Sequence, residues 1–407
     1  MELAVRQEKT TTGSKKFQTG NILTIAIGHF LHDIYGSFLA PILPLLIKKF
    51  SLSYTLAGLL TVFQNSAAFL NPFIGIVVDR ISARYLIVLS PVVTATLMSL
   101  LPLSPSYTFL AVILLFVGIS NSCWHVPTPV IIRNLAGDRL GTGMSFFMLG
   151  GELARSIGPI VILGAVSLWG MEGTFRMIPL GVAASILLYF RLKKITIRAP
   201  GDRAVHRQAQ GLLRQFVGVF FEMKRFFLII AGISFSRAII TRALNSFLPT
   251  FLTSQGSSLW LSGVSLSLLE LAGAAGTFAA GAVSDRIGRK KTLFIIKTVS
   301  PLMMMLFLLA KGFWIMPILI ILGLFSFASA PITLALVQEN AGDHPAAANG
   351  VIMTMAFFFG AISVFLVGLL SDQIGLAGSY WICAILSLVG IPCSLLLPKE
   401  HGVKAQS

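Results

Sequence analysis

The sequence predicts an all-α integral membrane protein whose twelve transmembrane helices form two pseudo-symmetric bundles of six. Of its 407 residues, 55% are hydrophobic and 11% are charged, whereas a soluble domain carries about 25% charged residues. The apolar residues fall into runs long enough to cross a bilayer, and one short motif recurs at matching places along the chain. This composition excludes a soluble globular protein and a disordered chain.

The apolar runs define the spans. A hydrocarbon core about 30 Å thick needs roughly 20 apolar residues per helix, and a helix satisfies its own backbone polar groups. The twelve predicted spans, which we number in chain order, are 21–47, 54–78, 85–103, 107–132, 141–169, 173–191, 226–253, 258–284, 292–310, 313–337, 346–371 and 378–397. The predicted domains are a cytoplasmic N-terminal tail (1–20), an N-terminal six-helix bundle (21–191), a cytoplasmic linker (192–225), a C-terminal six-helix bundle (226–397) and a cytoplasmic C-terminal tail (398–407).

The positive charge indicates the topology. Assigning alternate loops to two sides places 23 of the 31 Lys and Arg residues on the side of the termini and linker, and four on the other. We call these the basic side and the opposite side. Such a bias is the positive-inside signature, so both termini are expected in the cytoplasm and the protein in the cell (inner) membrane. The net charge of +16 therefore indicates contact with lipid headgroups, and no nucleic-acid partner is expected. The linker stretch 211–222 is expected to lie on the membrane surface as an amphipathic segment.

A repeated motif relates units of three helices. The pattern Gly-x-x-x-Asp runs from Gly75 to Asp79 at the end of the second span, from Gly281 to Asp285 at the end of the eighth, and from Gly368 to Asp372 at the end of the eleventh. The fifth span ends in a related Gly-Ala-Val-Ser at 164–167. Three helices therefore form a unit that is used four times.

The longer form of this motif, in 281–291 and with changes in 75–84, resembles the signature of the major facilitator superfamily. A narrower resemblance, to the fosmidomycin-resistance-like drug exporters, covers nearly the whole chain. It rests on His29-Phe30-Leu31-x-Asp33, Trp124-His125-x6-Ile132-Arg133, Gly150-Gly151-x6-Gly158-Pro159 and Gln338-Glu339. The resemblance implies the major facilitator fold, in which the first, fourth, seventh and tenth spans line a central cavity.

The resemblance also implies a conformational latch at the basic side. Its residues would be Gly75, Asp79, Arg80, Arg84, Gly281, Asp285, Arg286 and Arg289. The glycines would allow close helix approach, and the charged groups would bond neighbouring helix ends. The alternative is that both copies serve only as interfacial anchors and topology signals.

Ionisable residues inside the spans are candidates for function, because a charge at the bilayer centre costs roughly 2.5–3.5 kcal/mol. The proton-coupling candidates are Asp33, His29, Glu152 and Glu270. His29 and Asp33 are four residues apart and share a helix face, so they form either a proton site or a permanent pair that fixes a kink near Pro41. His32 is expected to serve packing.

The substrate-binding candidates are His125, Trp124, Arg155, Arg237 and Arg242. Glu152 and Arg155 form either a structural ion pair or a coupling switch. Arg237 and Arg242 are about 140° apart around a helix, and Arg237 is expected to face the cavity, with pairing to Glu270 as the alternative. Because Arg offers a planar fork to a carboxylate or phosphonate, an anionic or zwitterionic substrate is expected.

Three more interpretations concern the surroundings of these candidates. Pro127 and Pro129 are expected to bend the fourth span beside His125. Lys297 is expected to extend its amine toward the membrane surface. The stripe of Phe357, Phe358 and Phe359 is expected to face lipid or the core.

Together these features predict a proton-coupled, alternating-access exporter of a small amphipathic or anionic drug or metabolite. An importer or facilitator of an organic anion is the alternative within transport, and a lipid flippase or a non-transporting sensor are the alternatives from other classes. No phosphate loop or nucleophile elbow is present, so no enzyme and no cofactor are expected. No metal site is predicted. The alternative is a metal site built from His29, Asp33 and His125. The expected partners are a small-molecule substrate, protons and membrane lipid, and a monomer is expected.

Overall fold

The computed structural model describes residues 17–71, 74, 83–193, 221, 223–341 and 345–398. Gly75, Asp79 and Arg80 of the first latch copy lie outside the described residues, as does nearly all of the stretch 211–222. The helices are Thr19–Gly36, Leu39–Phe50, Tyr54–Ser66, Ala83–Leu100, Tyr107–His125, Thr128–Ala136, Leu140–Trp169, Ile178–Leu192, Lys224–Ser254, Leu259–Ile287, Arg289–Leu309, Ile315–Asn340, Pro345–Ser387 and Gly390–Leu395.

The helices agree with twelve crossings. Nine segments of the described chain are long and apolar enough to cross a membrane. Two of them, Tyr107–Trp169 with 63 residues and Ala348–Leu395 with 48 residues, are long enough for two crossings each, which gives eleven. The predicted second span begins with helix Tyr54–Ser66, and the described residues are consistent with twelve crossings.

Serine caps begin three spans on the opposite side. Ser53, Ser106 and Ser258 each accept a hydrogen bond from the backbone N–H three residues later. Such caps satisfy N–H groups that a helix cannot bond internally. Gly375 has φ of 74°, a conformation that favours glycine, and it divides Pro345–Ser387 into two helices that belong to the eleventh and twelfth spans.

Two spans are broken close to their ionisable residues. The first span is interrupted between Gly36 and Leu39, and the Gln64 amide donates to the Gly36 carbonyl at 2.8 Å. The fourth span is interrupted after His125, as its prolines predict, and the Thr128 hydroxyl donates to the carbonyl of Trp124. Because side chains satisfy these freed carbonyls, irregular backbone is tolerated inside the bundle.

The two halves of the molecule share a core on one side only. Toward the opposite side, one hydrophobic cluster contains residues of both halves, among them Leu43 and Leu46 of the first span and Phe247 and Leu248 of the seventh. Toward the basic side, two further clusters of described residues each belong to a single half. The bundle is therefore packed shut at the opposite side, and the halves have separate cores at the basic side.

A carboxylate joins the two halves at the closed side. Asp372, at the end of the eleventh span, accepts hydrogen bonds from the backbone N–H groups of Tyr54 and Thr55 at 2.6 and 3.0 Å, and from the Thr55 hydroxyl at 2.6 Å. A helix N-terminus attracts negative charge because its N–H groups are unpaired. A Cβ on Gly368 would lie 2.7 Å from the Tyr54 carbonyl oxygen, so glycine is needed for this close approach. We call the contact of Asp372 with Tyr54 and Thr55 the clamp.

Among the described residues, the bonds of the latch side chains do not join the two halves. Arg289 bonds Asp285 at 3.0 Å and Glu339 at 2.8 Å, all within the C-terminal half, and Arg84 donates to the carbonyl of Lys193 at the start of the linker. Arg286 is exposed. Within the described part of the chain, nothing lies within 4 Å of a Cβ built on Gly281, so the close helix approach expected at this glycine is not found among these residues.

Candidate functional site

A polar cavity lies between the two halves. It has a volume of about 270 Å³, and its lining includes the three candidates Asp33, His125 and Arg155 from the N-terminal half with Arg242 and Glu270 from the C-terminal half. We call it the chamber. The structure thus brings together, from both halves of the molecule, five of the residues that the sequence singles out.

Three histidines surround the Asp33 carboxylate. The Nε2 atom of His29 lies 3.1 Å from one carboxylate oxygen. His32 Nδ1 and His125 Nε2 lie 2.8 and 3.2 Å from the other. We call His29, His32, Asp33 and His125 the acid cluster. The side chains of His29 and His32 are 4% and 0% exposed, whereas that of His125 is 42% exposed, so the cluster meets the chamber through His125 and Asp33.

A chain of hydrogen bonds links Asp33 through His32 to two hydroxyl groups. The Ser120 hydroxyl donates to the Ser90 carbonyl and lies 2.8 Å from the Thr94 hydroxyl. The Thr94 hydroxyl lies 3.1 Å from His32 Nε2, and which of the two donates depends on the tautomer of the ring. On its other side His32 Nδ1 lies 2.8 Å from the Asp33 carboxylate. The ring can therefore exchange a proton with the carboxylate while its second nitrogen stays hydrogen-bonded.

Glycines of the fifth span hold His29 in place. His29 Nδ1 donates to the Phe147 carbonyl at 2.6 Å, and its ring stacks on the Phe147 ring with centroids 3.9 Å apart. A Cβ on Gly151 would lie 2.6 Å from His29 Cε1, and one on Gly150 would overlap the Ala26 carbonyl oxygen. These glycines therefore let the fifth span approach the first closely enough to orient His29.

The remaining charged candidates lie on the fifth, seventh and eighth spans. Glu152 and Arg155 form an ion pair within the fifth span. Glu270 of the eighth span is 7% exposed and lines the chamber. Among the described residues, no carboxylate lies within the 4.0 Å of an ion pair from Arg242. The chamber therefore presents an arginine that lacks a bonded anion.

Three expectations about neighbouring residues are corrected by the structure. Arg242 lines the chamber, whereas the expected Arg237 lines neither the chamber nor the larger cavity beside it. Trp124 is fully buried and its ring stacks behind His32 at 5.1 Å between centroids, so it supports the acid cluster without reaching the chamber. Lys297 is 2% exposed and donates to Ser329 at 3.2 Å, so its amine stays inside the bundle.

His32 is the functional candidate that sequence reasoning missed. Its position next to Asp33 places it on a different helix face from His29, which favoured a packing role. The signal that could have found it is the pair of hydroxyl residues Thr94 and Ser120 in neighbouring spans, of which Thr94 bonds His32 and Ser120 bonds Thr94.

The acid cluster also has donor atoms suited to a metal ion. One ligand atom each from His29, Asp33 and His125 lie within 4.8 Å of one another, and imidazole with carboxylate is a common metal-ligand set. The N···O distances of 2.8–3.2 Å in the cluster are also those of ordinary hydrogen bonds, which need no metal ion. The absence of a metal therefore stays a prediction.

Comparisons with known proteins identify the family and the fold of the chain. The family model of the Major Facilitator Superfamily matches residues 25–364. The chain is 25% identical over 397 residues to the fosmidomycin resistance protein of Escherichia coli (strain K12), covering 96% of each chain. It is 22% identical over 387 residues to the uncharacterized MFS-type transporter YfnC of Bacillus subtilis (strain 168), covering 94% of each.

Solved structures show the same fold. A bacterial homologue of the human lysosomal transporter Spinster, in an inward-facing and unoccupied conformation, matches with a TM-score of 0.76 and 15% identity over 94% of this chain and 97% of that one. The D-xylose–proton symporter matches with a TM-score of 0.74 and 14% identity over 94% and 98%. With its helices, its central chamber and a family model that covers most of its length, the chain belongs to the major facilitator superfamily.

Proposed function

We propose that this multi-pass membrane transporter is a proton-coupled exporter of a small acidic molecule, in which the acid cluster carries the proton. The observation that supports the proton role is the contact of 2.8 Å between His32 and Asp33, within a cluster in which three imidazole rings surround one carboxylate. Gain or loss of a proton changes the net charge of this cluster, and that change would favour a different arrangement of the first span.

The substrate would bind in the chamber at Arg242. Arg242 offers two parallel donors to a carboxylate, phosphate or phosphonate. Arg155 is already paired with Glu152, and that pair would open only when the substrate competes for the arginine. A negative substrate at Arg242 and a proton at Asp33 would share one cavity, and exchange requires that binding of either one lowers the affinity for the other.

The proposed orientation of the protein in the membrane follows from the charge bias. With the basic side in the cytoplasm, the structure is closed toward the outside of the cell, and the substrate would enter the chamber from the cytoplasm. Residence in the bacterial inner membrane, export as the direction of transport and action as a monomer are parts of this proposal.

Two alternative functions use parts of the same site. Import of an organic anion would use the same residues with the proton gradient in the opposite direction. A mainly apolar cavity between the second and eleventh spans favours a lipid flippase as the second candidate.

Transport under an imposed pH gradient tests the proposal. Proteoliposomes containing the full chain would be given radiolabelled fosmidomycin, the compound in the name of the curated relative. For exchange of one proton, an acidic interior should drive about tenfold accumulation for each pH unit. Collapse of the gradient with a protonophore should abolish that accumulation. Equal uptake with and without the gradient, despite saturable binding, would eliminate proton antiport.

A further inference from the structure

A second cavity adjoins the chamber between the second and eleventh spans. Its volume is about 610 Å³, compared with about 270 Å³ for the chamber. Thr61, Asn65 and Arg242 line both cavities, so the two spaces meet at the Arg242 guanidinium. We call the second cavity the gallery.

Contacts between the second and eleventh spans border the gallery. At the opposite side the clamp joins the spans, and a Cβ on Gly58 would lie 3.1 Å from the Val364 carbonyl oxygen. Further toward the basic side the rings of Phe69 and Phe357 meet edge to face, with centroids 4.2 Å apart. Phe357, expected from the sequence to face lipid or the core, therefore lines a cavity.

The lining of the gallery is mainly apolar. Val62, Phe69, Met353, Phe357 and Val364 contribute to it. Phe69 and Met353 are 66% and 60% exposed, so much of their apolar surface is uncovered within the described chain. An apolar cavity of this size suits the hydrocarbon part of a ligand.

The junction of the two cavities is cationic. A Cβ on Gly360 would lie 3.1 Å from the Arg242 Nε atom, so the glycine leaves room for the guanidinium between the spans. Arg242 has no carboxylate within ion-pair distance in the described part of the chain. An arginine in such a site is stabilised by an anionic group that occupies the junction.

We propose that the transported molecule is a single-chain amphipathic acid, whose phosphonate or carboxylate binds Arg242 and whose apolar tail occupies the gallery. This inference deepens the proposed function and rests on it. A cationic junction that continues into an apolar cavity of limited volume fits a ligand with one acidic head and one hydrocarbon chain.

A chain-length series tests this inference. Methyl-, butyl- and octylphosphonate would be titrated calorimetrically into the full-length protein in phosphatidylcholine nanodiscs. Burial of each methylene should raise the affinity about fourfold until the gallery is filled. Arg242→Gln should weaken the binding of all three compounds by a similar factor. Phe357→Ala should reduce only the dependence on chain length.

Phe358→Ala provides the matched control. Phe358 is the next residue, is 57% exposed and does not line the gallery, so its removal should leave the whole series unchanged. Equal affinities for methyl- and octylphosphonate would overturn the inference, and so would the same loss of chain-length dependence in both phenylalanine variants.

A further arm separates a soluble acid from a membrane lipid. If nanodiscs that contain phosphatidic acid abolish octylphosphonate binding, the gallery takes a lipid tail and the soluble-acid assignment fails. Retained octylphosphonate binding supports the assignment. Gradient-driven fosmidomycin transport without binding of any alkyl phosphonate would overturn this inference and leave the proposed function standing.

Discussion

Asp33→Asn is expected to reduce gradient-driven substrate accumulation to the level seen without a gradient, a loss of about tenfold for each pH unit imposed. The amide keeps the size of the carboxyl but can neither gain nor lose a proton at physiological pH. Substrate exchange at equal pH on both sides should continue, because that process needs the chamber without net proton transfer. Proteoliposome uptake and exchange assays on the same preparation would measure the two quantities.

Glu172→Gln is the control for this prediction. Glu172 is an exposed carboxylate in the short helix Glu172–Met177 on the opposite side, so its neutralisation should leave the accumulation unchanged. His32→Gln should behave like Asp33→Asn, because glutamine can bond Thr94 but cannot store a proton. Full gradient-driven accumulation by Asp33→Asn would refute the proton role of the acid cluster.

Asp372→Ala is expected to open the transporter at the opposite side. The substitution removes three hydrogen bonds to the carboxylate, two of them from the N-terminal N–H groups of the second span. Hydrogen bonds to a charged group contribute about 1.5–3 kcal/mol each. A net loss of about 3 kcal/mol would shift the ratio of closed to open molecules by roughly 100-fold.

Spin-label distances would measure this shift. Labels on the exposed residues Thr108 and Gln255, one on each half at the opposite side, should show a larger population of long distances in Asp372→Ala than in the parent protein. Asp285→Ala is the matched control, because Asp285 contacts Arg289 of its own half and its loss should not separate the halves. Identical distance distributions in Asp372→Ala and the parent would show that the clamp does not hold the closed conformation.

The sequence could predict the fold because hydropathy, charge bias and the repeated motif all depend on the bilayer. The pairing of Asp33 with His29 followed from their spacing of four residues on one helix. The contact with His125 could not follow in that way, because it needs the break in the fourth span to bring a distant residue beside the first span.

Other parts of the site depend on tertiary packing that a single sequence does not specify. The choice between Arg237 and Arg242 depends on the rotation of the seventh span about its axis. The clamp was present in the sequence as a third copy of the motif ending at Asp372, but only the fold shows that its carboxylate bonds the second span across the two halves. The spacing of residues along a helix predicts which side chains share a face, whereas contacts between the two halves can be seen only in the folded structure.

Counting the protons released during substrate binding would decide whether the acid cluster exchanges its proton for substrate. Fosmidomycin would be titrated into the full-length protein by calorimetry in two buffers of different ionisation enthalpy, which gives the number of protons released for each molecule bound. We expect release of about one proton from the parent protein and none from Asp33→Asn. Saturable binding to the parent protein without proton release would contradict the exchange.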